Sequence, residues 1–130
     1  MQTILVIDEI EFSRDVICKM LSGGGYQVIE AATGTEGWKL IKERNPDLIL
    51  IDLLMPEMDG LIRKLATFKP ELPIIALAAS ADYDLFETAL SLGAKSTLGR
   101  PFKQFELLEV VQNVLEDSAL SGEEFSHFLN

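Results

Sequence analysis

Short runs of strand-forming residues alternate five times with longer segments of helical periodicity. We predict strands at Ile4 to Ile7, Tyr26 to Ala31, Leu48 to Ile51, Ile74 to Leu77 and Ser96 to Leu98. The predicted helices run from a cap at Ser13 to about Leu21, from Thr35 to Arg44, from Leu61 to Phe68, from a cap at Asp82 to about Leu92, and from Lys103 to Leu115. Such alternation favours an α/β fold in which helices cover both faces of a parallel sheet. We therefore expect a doubly wound, flavodoxin-like (βα)5 domain with strand order 2-1-3-4-5.

Acidic residues follow the two most apolar strands of this predicted sheet. Asp8 and Glu9 come directly after the first strand, and Asp52 comes directly after the third. In the 2-1-3-4-5 order these strands are neighbours, and their carboxyl ends meet at one edge of the sheet. We expect the three carboxylates to share one pocket, although their spacing alone is also compatible with strand-end acids that face solvent.

Carboxylates held close together repel one another unless a cation offsets their charge. A hard divalent ion with oxygen ligands would do so, and Mg²⁺ suits a site with few protein carboxylates and several retained waters. In such a pocket Asp52 is a candidate nucleophile for aspartyl-phosphate chemistry.

Composition limits the class of protein. The chain has 130 residues, which suits one domain, and a formal net charge of −10. A surface that acidic repels phosphate backbones and anionic lipids, so we expect no direct nucleic-acid or membrane binding. The single cysteine, Cys18, excludes an internal disulfide. No basic leader or membrane-length apolar run is present, which favours a cytoplasmic protein.

Three segments resemble the receiver domain of bacterial two-component response regulators. They are Ile4-Leu5-Val6-Ile7-Asp8-Glu9, then Asp52-Leu53-Leu54-Met55-Pro56-Glu57-Met58-Asp59-Gly60, and then Arg100-Pro101-Phe102. The resemblance covers about residues 3–116, so we assign residues 1–117 to the receiver domain and 118–130 to a C-terminal tail or the start of a linker.

This resemblance implies a role for each matching position. Asp52 matches the phosphoacceptor aspartate, and Asp8 and Glu9 match the acidic pair that holds Mg²⁺. Leu54 matches the position that lends its backbone carbonyl to the ion. The implied partner is a histidine kinase or phosphotransfer protein, and the implied chemistry is limited to phosphorylation and dephosphorylation of the domain itself, not turnover of a separate substrate.

The chain departs from the family pattern at three positions. Ala78 stands where the family has a threonine or serine that binds the phosphoryl group, and Ser80 would replace it only if the loop shifted. Thr97 stands where the family has an aromatic switch residue. Arg100 replaces the family lysine, keeping the charge with a different geometry. We therefore expect phosphorylation with altered coupling to the face formed by helix 4, strand 5 and helix 5, which could also mediate a homodimer.

Rival functions remain open at this stage. A phosphorylation-independent interaction domain, or pseudo-receiver, is favoured by Ala78, Thr97 and Arg100 and opposed by the acids. A phosphohydrolase would need a second acid two residues after Asp52, where Leu54 stands. A flavin protein would need a phosphate-binding loop after the first strand, where acids stand instead.

Several other side chains have plainer interpretations. We expect Trp38 to be a core or boundary residue, Cys18 a small filler on the first helix, and Arg14 a solvated residue near the acidic pocket. Phe105, Leu108, Val111 and Leu115 should form the apolar stripe of the last helix. In the tail, Phe125 and Phe128 could cover the sheet end or a dimer partner, and His127 has no expected role.

Overall fold

The computed structural model describes residues 1–119, which form five strands and five helices in strict alternation. In chain order the elements are β1 (Thr3–Ile7), α1 (Glu11–Gly23), β2 (Gln27–Ala31), α2 (Gly34–Arg44), β3 (Leu48–Asp52), α3 (Met58–Phe68), β4 (Ile74–Ala79), α4 (Tyr83–Leu92), β5 (Ser96–Arg100) and α5 (Gln104–Ala119). The strands form one parallel sheet in the order β2-β1-β3-β4-β5, which confirms the predicted fold.

The central strands are buried on both faces, as their unbroken apolar sequences require. Alternate side chains belong to different cores: Leu5 and Ile7 join the core under α2 and α3, whereas Ile4 and Val6 join the core under α1 and α5. The same alternation holds along β3. Two apolar layers therefore hold the sheet rigidly and place the ends of β1 and β3 side by side.

Helix α1 begins at Glu11, earlier than predicted, and Ser13 is not its cap. The cap residue is Ile10, which makes no side-chain cap hydrogen bond. The backbone N–H of Ile10 instead donates to Oδ1 of Asp8 at 2.9 Å. The carboxylate at the end of β1 thus stabilises the turn into the helix and leaves the Ser13 side chain available for another contact.

Strands β4 and β5 each extend two residues beyond the predicted ends. Ala78 pairs with Gly99 and Ala79 with Arg100, so hydrogen bonding between the two strands carries both of them further. This extension brings Arg100 into the sheet at its carboxyl edge.

The last helix packs with a different apolar stripe from the predicted one. Phe105 is 64% exposed, whereas Leu107 and Val114 are buried together with Val111 and Leu115. Leu107 lies one helical turn before Val111, so the core-facing stripe starts there and excludes Phe105.

Other predicted boundaries shift by a few residues. Helix α3 starts at Met58 rather than Leu61. Asp82 precedes α4 as predicted but makes no side-chain cap hydrogen bond. Helix α5 continues through position 117, so the boundary proposed there falls inside a helix. Phe125, His127 and Phe128 lie outside the described residues.

Candidate functional site

The site is built from the carboxyl ends of β1 and β3. Ile7 is paired with Ile51 in the parallel register, so the residues that follow them, Asp8 and Asp52, emerge at the same edge of the sheet. Both are almost fully buried, at 0% and 2% exposure. Buried carboxylates are costly unless they are paired and hydrogen-bonded.

Arg100 supplies the pairing cation from the end of β5. Its Nη2 lies 3.2 Å from Oδ2 of Asp8, and its Nη1 lies 3.4 Å from Oδ1 of Asp52. One guanidinium therefore contacts both buried carboxylates. To do so it reaches past the end of β4, where Ala78 and Ala79 carry only methyl side chains.

Ser13 holds the guanidinium at a third point. Its Oγ accepts a hydrogen bond from Nη2 of Arg100 at 3.1 Å. This contact was not predicted, because only the tertiary structure brings the first turn of α1 against the end of β5.

Backbone groups complete the hydrogen bonding of the acids. The N–H of Leu54 donates to Oδ1 of Asp52 at 2.9 Å. No group within residues 1–119 donates a hydrogen bond to Oδ2 of Asp52. Every fully buried polar side-chain atom in this range has a hydrogen-bond partner, so Oδ2 is not fully buried. This oxygen therefore keeps a small solvent contact, although the Asp52 side chain is only 3% exposed.

Arg14 is part of the site's support and is not solvated, contrary to the prediction. Its side chain is only 16% exposed. Its Nη1 donates to the backbone carbonyl of Asp8 at 2.7 Å, and its Nε donates to Oε1 of Glu30 at 3.0 Å. Arg14 therefore ties the end of β1 to β2.

The third predicted acid does not join the other two. Glu9 is exposed. Within residues 1–119 no group of three or more His, Cys, Asp or Glu side chains is arranged to hold a metal ion. Leu54 directs its backbone N–H to Asp52 while its side chain is 64% exposed, so its side chain has no part in the pocket.

The donor atoms nevertheless suit Mg²⁺ chemically. Asp8 and Asp52 offer hard carboxylate oxygens at one edge, Glu9 is adjacent in sequence, and such a site binds Mg²⁺ through a few carboxylates and waters. The guanidinium of Arg100 offsets one of the two negative charges of the buried acids, so a metal ion there has to share or displace that contact.

The positions expected to transmit a switch lack the relevant side chains. Ala78 is fully buried and carries no hydroxyl, while Thr97 is half-buried on β5. Ser80 is not free to replace Ala78, since its Oγ donates to the backbone carbonyl of Arg100 at 2.7 Å. The serine instead anchors the strand that carries Arg100.

A five-stranded doubly wound sheet with two buried acids and a cation at its carboxyl edge defines the class of α/β receiver domains. The family model for the response regulator receiver domain matches residues 4–112. The chain belongs to this family of two-component signalling proteins.

Individual relatives agree in length and structure. Protein CcdB of Bacillus subtilis (strain 168) is 33% identical over 118 residues, which cover 88% of this chain and 98% of that protein. Chemotaxis protein CheY of the same organism is 31% identical over 115 residues, covering 86% and 96%. The crystal structure of a CheY-like response regulator receiver domain protein from Methanospirillum hungatei JF-1 superposes with a TM-score of 0.86 at 27% identity, covering 94% of this chain and 99% of that chain. Other relatives are longer, and the chain spans about half of them, 48% and 53% in two cases.

None of the helices within residues 1–119 combines the length and the apolar character needed to cross a membrane.

Proposed function

We propose that Asp52 is the phosphoacceptor of a response regulator receiver domain and takes its phosphoryl group from a histidine kinase or phosphotransfer protein. The observation that carries this proposal is the contact of one guanidinium with both Asp8 and Asp52. It supports a single pocket in which a second acid and a fixed cation lie beside the acceptor.

The chemistry follows from Oδ2 of Asp52, which accepts no hydrogen bond from residues 1–119. Oδ2 attacks the phosphorus of a phosphohistidine, and the new P–O bond forms as the P–N bond breaks. The bonding electron pair stays on the imidazole nitrogen, which takes a proton from solvent. Hydrolysis later returns the carboxylate and releases inorganic phosphate, with water as the nucleophile.

We propose that Asp8, Asp52 and the backbone carbonyl of Leu54 hold the metal ion, and that the exposed Glu9 side chain turns towards the ion when it binds. Mg²⁺ bound there would offset the charge of the incoming phosphoryl group against the acidic pocket. Arg100 would serve the same end from the end of β5, because a guanidinium can donate two hydrogen bonds to phosphate oxygens.

We further propose that phosphorylation is weakly coupled to the face formed by α4, β5 and α5. A modification shifts a conformational equilibrium only through contacts that differ between the two states. Ala78 has no hydroxyl to contact the phosphoryl group, and Thr97 has no aromatic ring to change position.

The domain turns over no separate substrate, since Leu54 stands where a leaving-group acid would be needed, and it acts in the cytoplasm, where ATP-dependent kinases work.

A second candidate is a phosphorylation-independent interaction domain. Arg100 favours it, because the guanidinium pairs with both Asp8 and Asp52 and offsets part of their charge without a metal ion. In that case the pocket would be a structural ion-pair site and the partner face would act alone.

Phosphorylation and metal titration distinguish the two candidates. Incubation with Mg²⁺ and acetyl phosphate should add one phosphoryl mass to the protein and none to Asp52→Asn. Mg²⁺ should bind in the millimolar range, and Glu9→Ala and Asp52→Ala should both lose this binding. Absence of an adduct together with no response to beryllofluoride would leave only the interaction domain.

A further inference from the structure

The helices α2 and α3 carry a basic surface on an acidic protein. These two helices hold five of the eleven basic residues and three acids, so their net charge is +2 in a chain of net charge −10. Helices α4 and α5 show the reverse, with six acids and no basic residue. Charge is therefore segregated between helices, and α4, which packs on the same core as α2 and α3, does not share their positive charge.

The basic side chains of α2 and α3 are exposed and have no acidic partner within residues 1–119. They are Lys39, Lys42, Arg44, Arg63 and Lys64. The ion pairs found within residues 1–119 involve only Arg14 and Arg100. The acids elsewhere in the described part of the domain form no ion pairs with these five side chains, so the surface keeps its positive charge.

Two of these lysines surround an aromatic residue in a groove between the helices. Nζ of Lys64 lies 4.0 Å from the centroid of the Trp38 ring, and Nζ of Lys42 lies 5.6 Å from it. Phe68, which is 68% exposed, meets Trp38 edge to face with centroids 6.2 Å apart. The groove has a volume of about 430 Å³ and is lined by Trp38, Leu61 and Lys64 together with the acid Glu57. Lys42 and Phe68 do not line it but contact the Trp38 ring beside it.

We propose that this α2–α3 groove binds an acidic protein segment that inserts an aromatic side chain between its carboxylates. The ring would pack against the exposed Phe68 beside Trp38, since aromatic pairs favour edge-to-face and offset contacts and Lys64 already covers the Trp38 ring. The flanking carboxylates would pair with Lys42 and Lys64, whose ammonium groups are fixed near the ring by cation–π contacts. Extended polyanions fit less well, because the net charge of −10 repels them at longer range.

This surface is distinct from the acidic pocket at the ends of β1 and β3. Its activity should therefore be independent of phosphorylation, and Asp52→Asn should bind the acidic segment as well as the wild type. If Asp52 proved not to be the phosphoacceptor, the groove could still bind the acidic segment. If the groove did not bind it, Asp52 could still be the phosphoacceptor.

The test uses a dye-labelled synthetic peptide with a central phenylalanine flanked by glutamates. Trp38 is the only tryptophan in the chain, so its emission reports directly on the groove. We expect saturable fluorescence anisotropy, a change in Trp38 emission with the same midpoint, and weaker binding at higher salt. The double variant Lys42→Gln/Lys64→Gln should weaken binding about fivefold to tenfold, as two lost surface ion pairs predict.

The matched control is Lys19→Gln, which removes an exposed positive charge from α1 and should leave binding unchanged. If Lys19→Gln weakened binding equally, net charge alone would explain the loss of binding, and the proposal would be overturned. It would also be overturned if a peptide with serine in place of phenylalanine bound equally well, or if phosphatidylserine vesicles bound while the peptide did not.

Discussion

Nη1 of Arg100 lies 3.4 Å from Oδ1 of Asp52, at the ends of two strands that are not adjacent in the sheet. The same guanidinium also contacts Asp8, so the cation belongs to the pair of acids and not to one of them. This arrangement makes Arg100 both a stabilising group and a competitor for any cation entering the pocket.

Removal of this guanidinium should expose the cost of the acidic pocket. Arg100→Ala leaves two buried carboxylates without their cation, and we expect the free energy of unfolding to fall by about 1–3 kcal/mol. This loss is smaller than the loss expected for a fully buried ion pair, because the Arg100 side chain is 26% exposed and solvent screens its charge. Urea unfolding measures the change, with the exposed and unpaired Arg63→Ala as the control.

Mg²⁺ should compensate for the missing guanidinium. Because a ligand that binds only the folded state stabilises it, Mg²⁺ should raise the urea midpoint of Arg100→Ala more than that of the wild type. An equal effect of Mg²⁺ on both proteins would contradict competition between the metal and the arginine.

A hydroxyl restored at position 78 should strengthen the response to the phosphoryl group. Ala78→Ser places this hydroxyl at a fully buried position, at a cost of about 1–3 kcal/mol if it stays unpaired. On addition of beryllofluoride and Mg²⁺, we expect larger amide chemical-shift changes in α4 and β5 than in the wild type. Ala76→Ser, equally buried on the same side of β4, should cost similar stability without enhancing the response.

The close approach of Gly99 to Ser80 should make position 99 intolerant of a side chain. A Cβ atom there would lie 2.7 Å from Cα of Ser80, a backbone atom that cannot rotate away. We expect Gly99→Ala to lose about 1–3 kcal/mol in urea unfolding. Gly60→Ala is the matched comparison, because no atom beyond its chain neighbours and its own helix backbone lies within 4 Å of its added Cβ, and it should gain about 0.5–1 kcal/mol within α3.

Cys18 should be unreactive in the folded protein. Burial raises the pKa of its thiol to about 12, and the nearby Glu30 carboxylate adds to this effect. The thiolate is the reactive form, so iodoacetamide should modify the folded protein far more slowly than the urea-unfolded chain at about pH 8. Similar rates in the two states would contradict the burial of this thiol.

The same raised pKa makes stability depend on alkaline pH. Above about pH 9 the unfolded chain loses the Cys18 proton while the folded chain keeps it. The stability that Cys18 contributes to the folded protein below that pH is therefore lost as the pH rises towards 12. The urea midpoint should therefore fall between about pH 8 and about pH 10 more in the wild type than in Cys18→Ala.

Local sequence predicted the elements well where their patterns are strong. The unbroken apolar runs of β1 and β3 have no stable alternative to burial on both faces of a sheet, and the acids that end them fall at its carboxyl edge. The ends of β4 and β5 were predicted too short, because their last pairs use Ala78 and Gly99, which have little strand propensity and pair only through the neighbouring strand. Phe105 was assigned to the core on its spacing, but helical periodicity does not fix which turn first meets the sheet.

The sequence by itself determined that this chain forms a doubly wound sheet with Asp8 and Asp52 at one edge, because burial follows from local patterns and strand order from the topology that small parallel sheets favour. Only the tertiary structure decided how those acids are neutralised. Arg100, Ser13 and the two carboxylates are separated by up to 92 positions along the chain, and no periodicity relates them. Packing of α1 and β5 against the sheet brings them together and leaves Glu9 in solvent, since contacts between distant side chains depend on distances that local propensity does not contain.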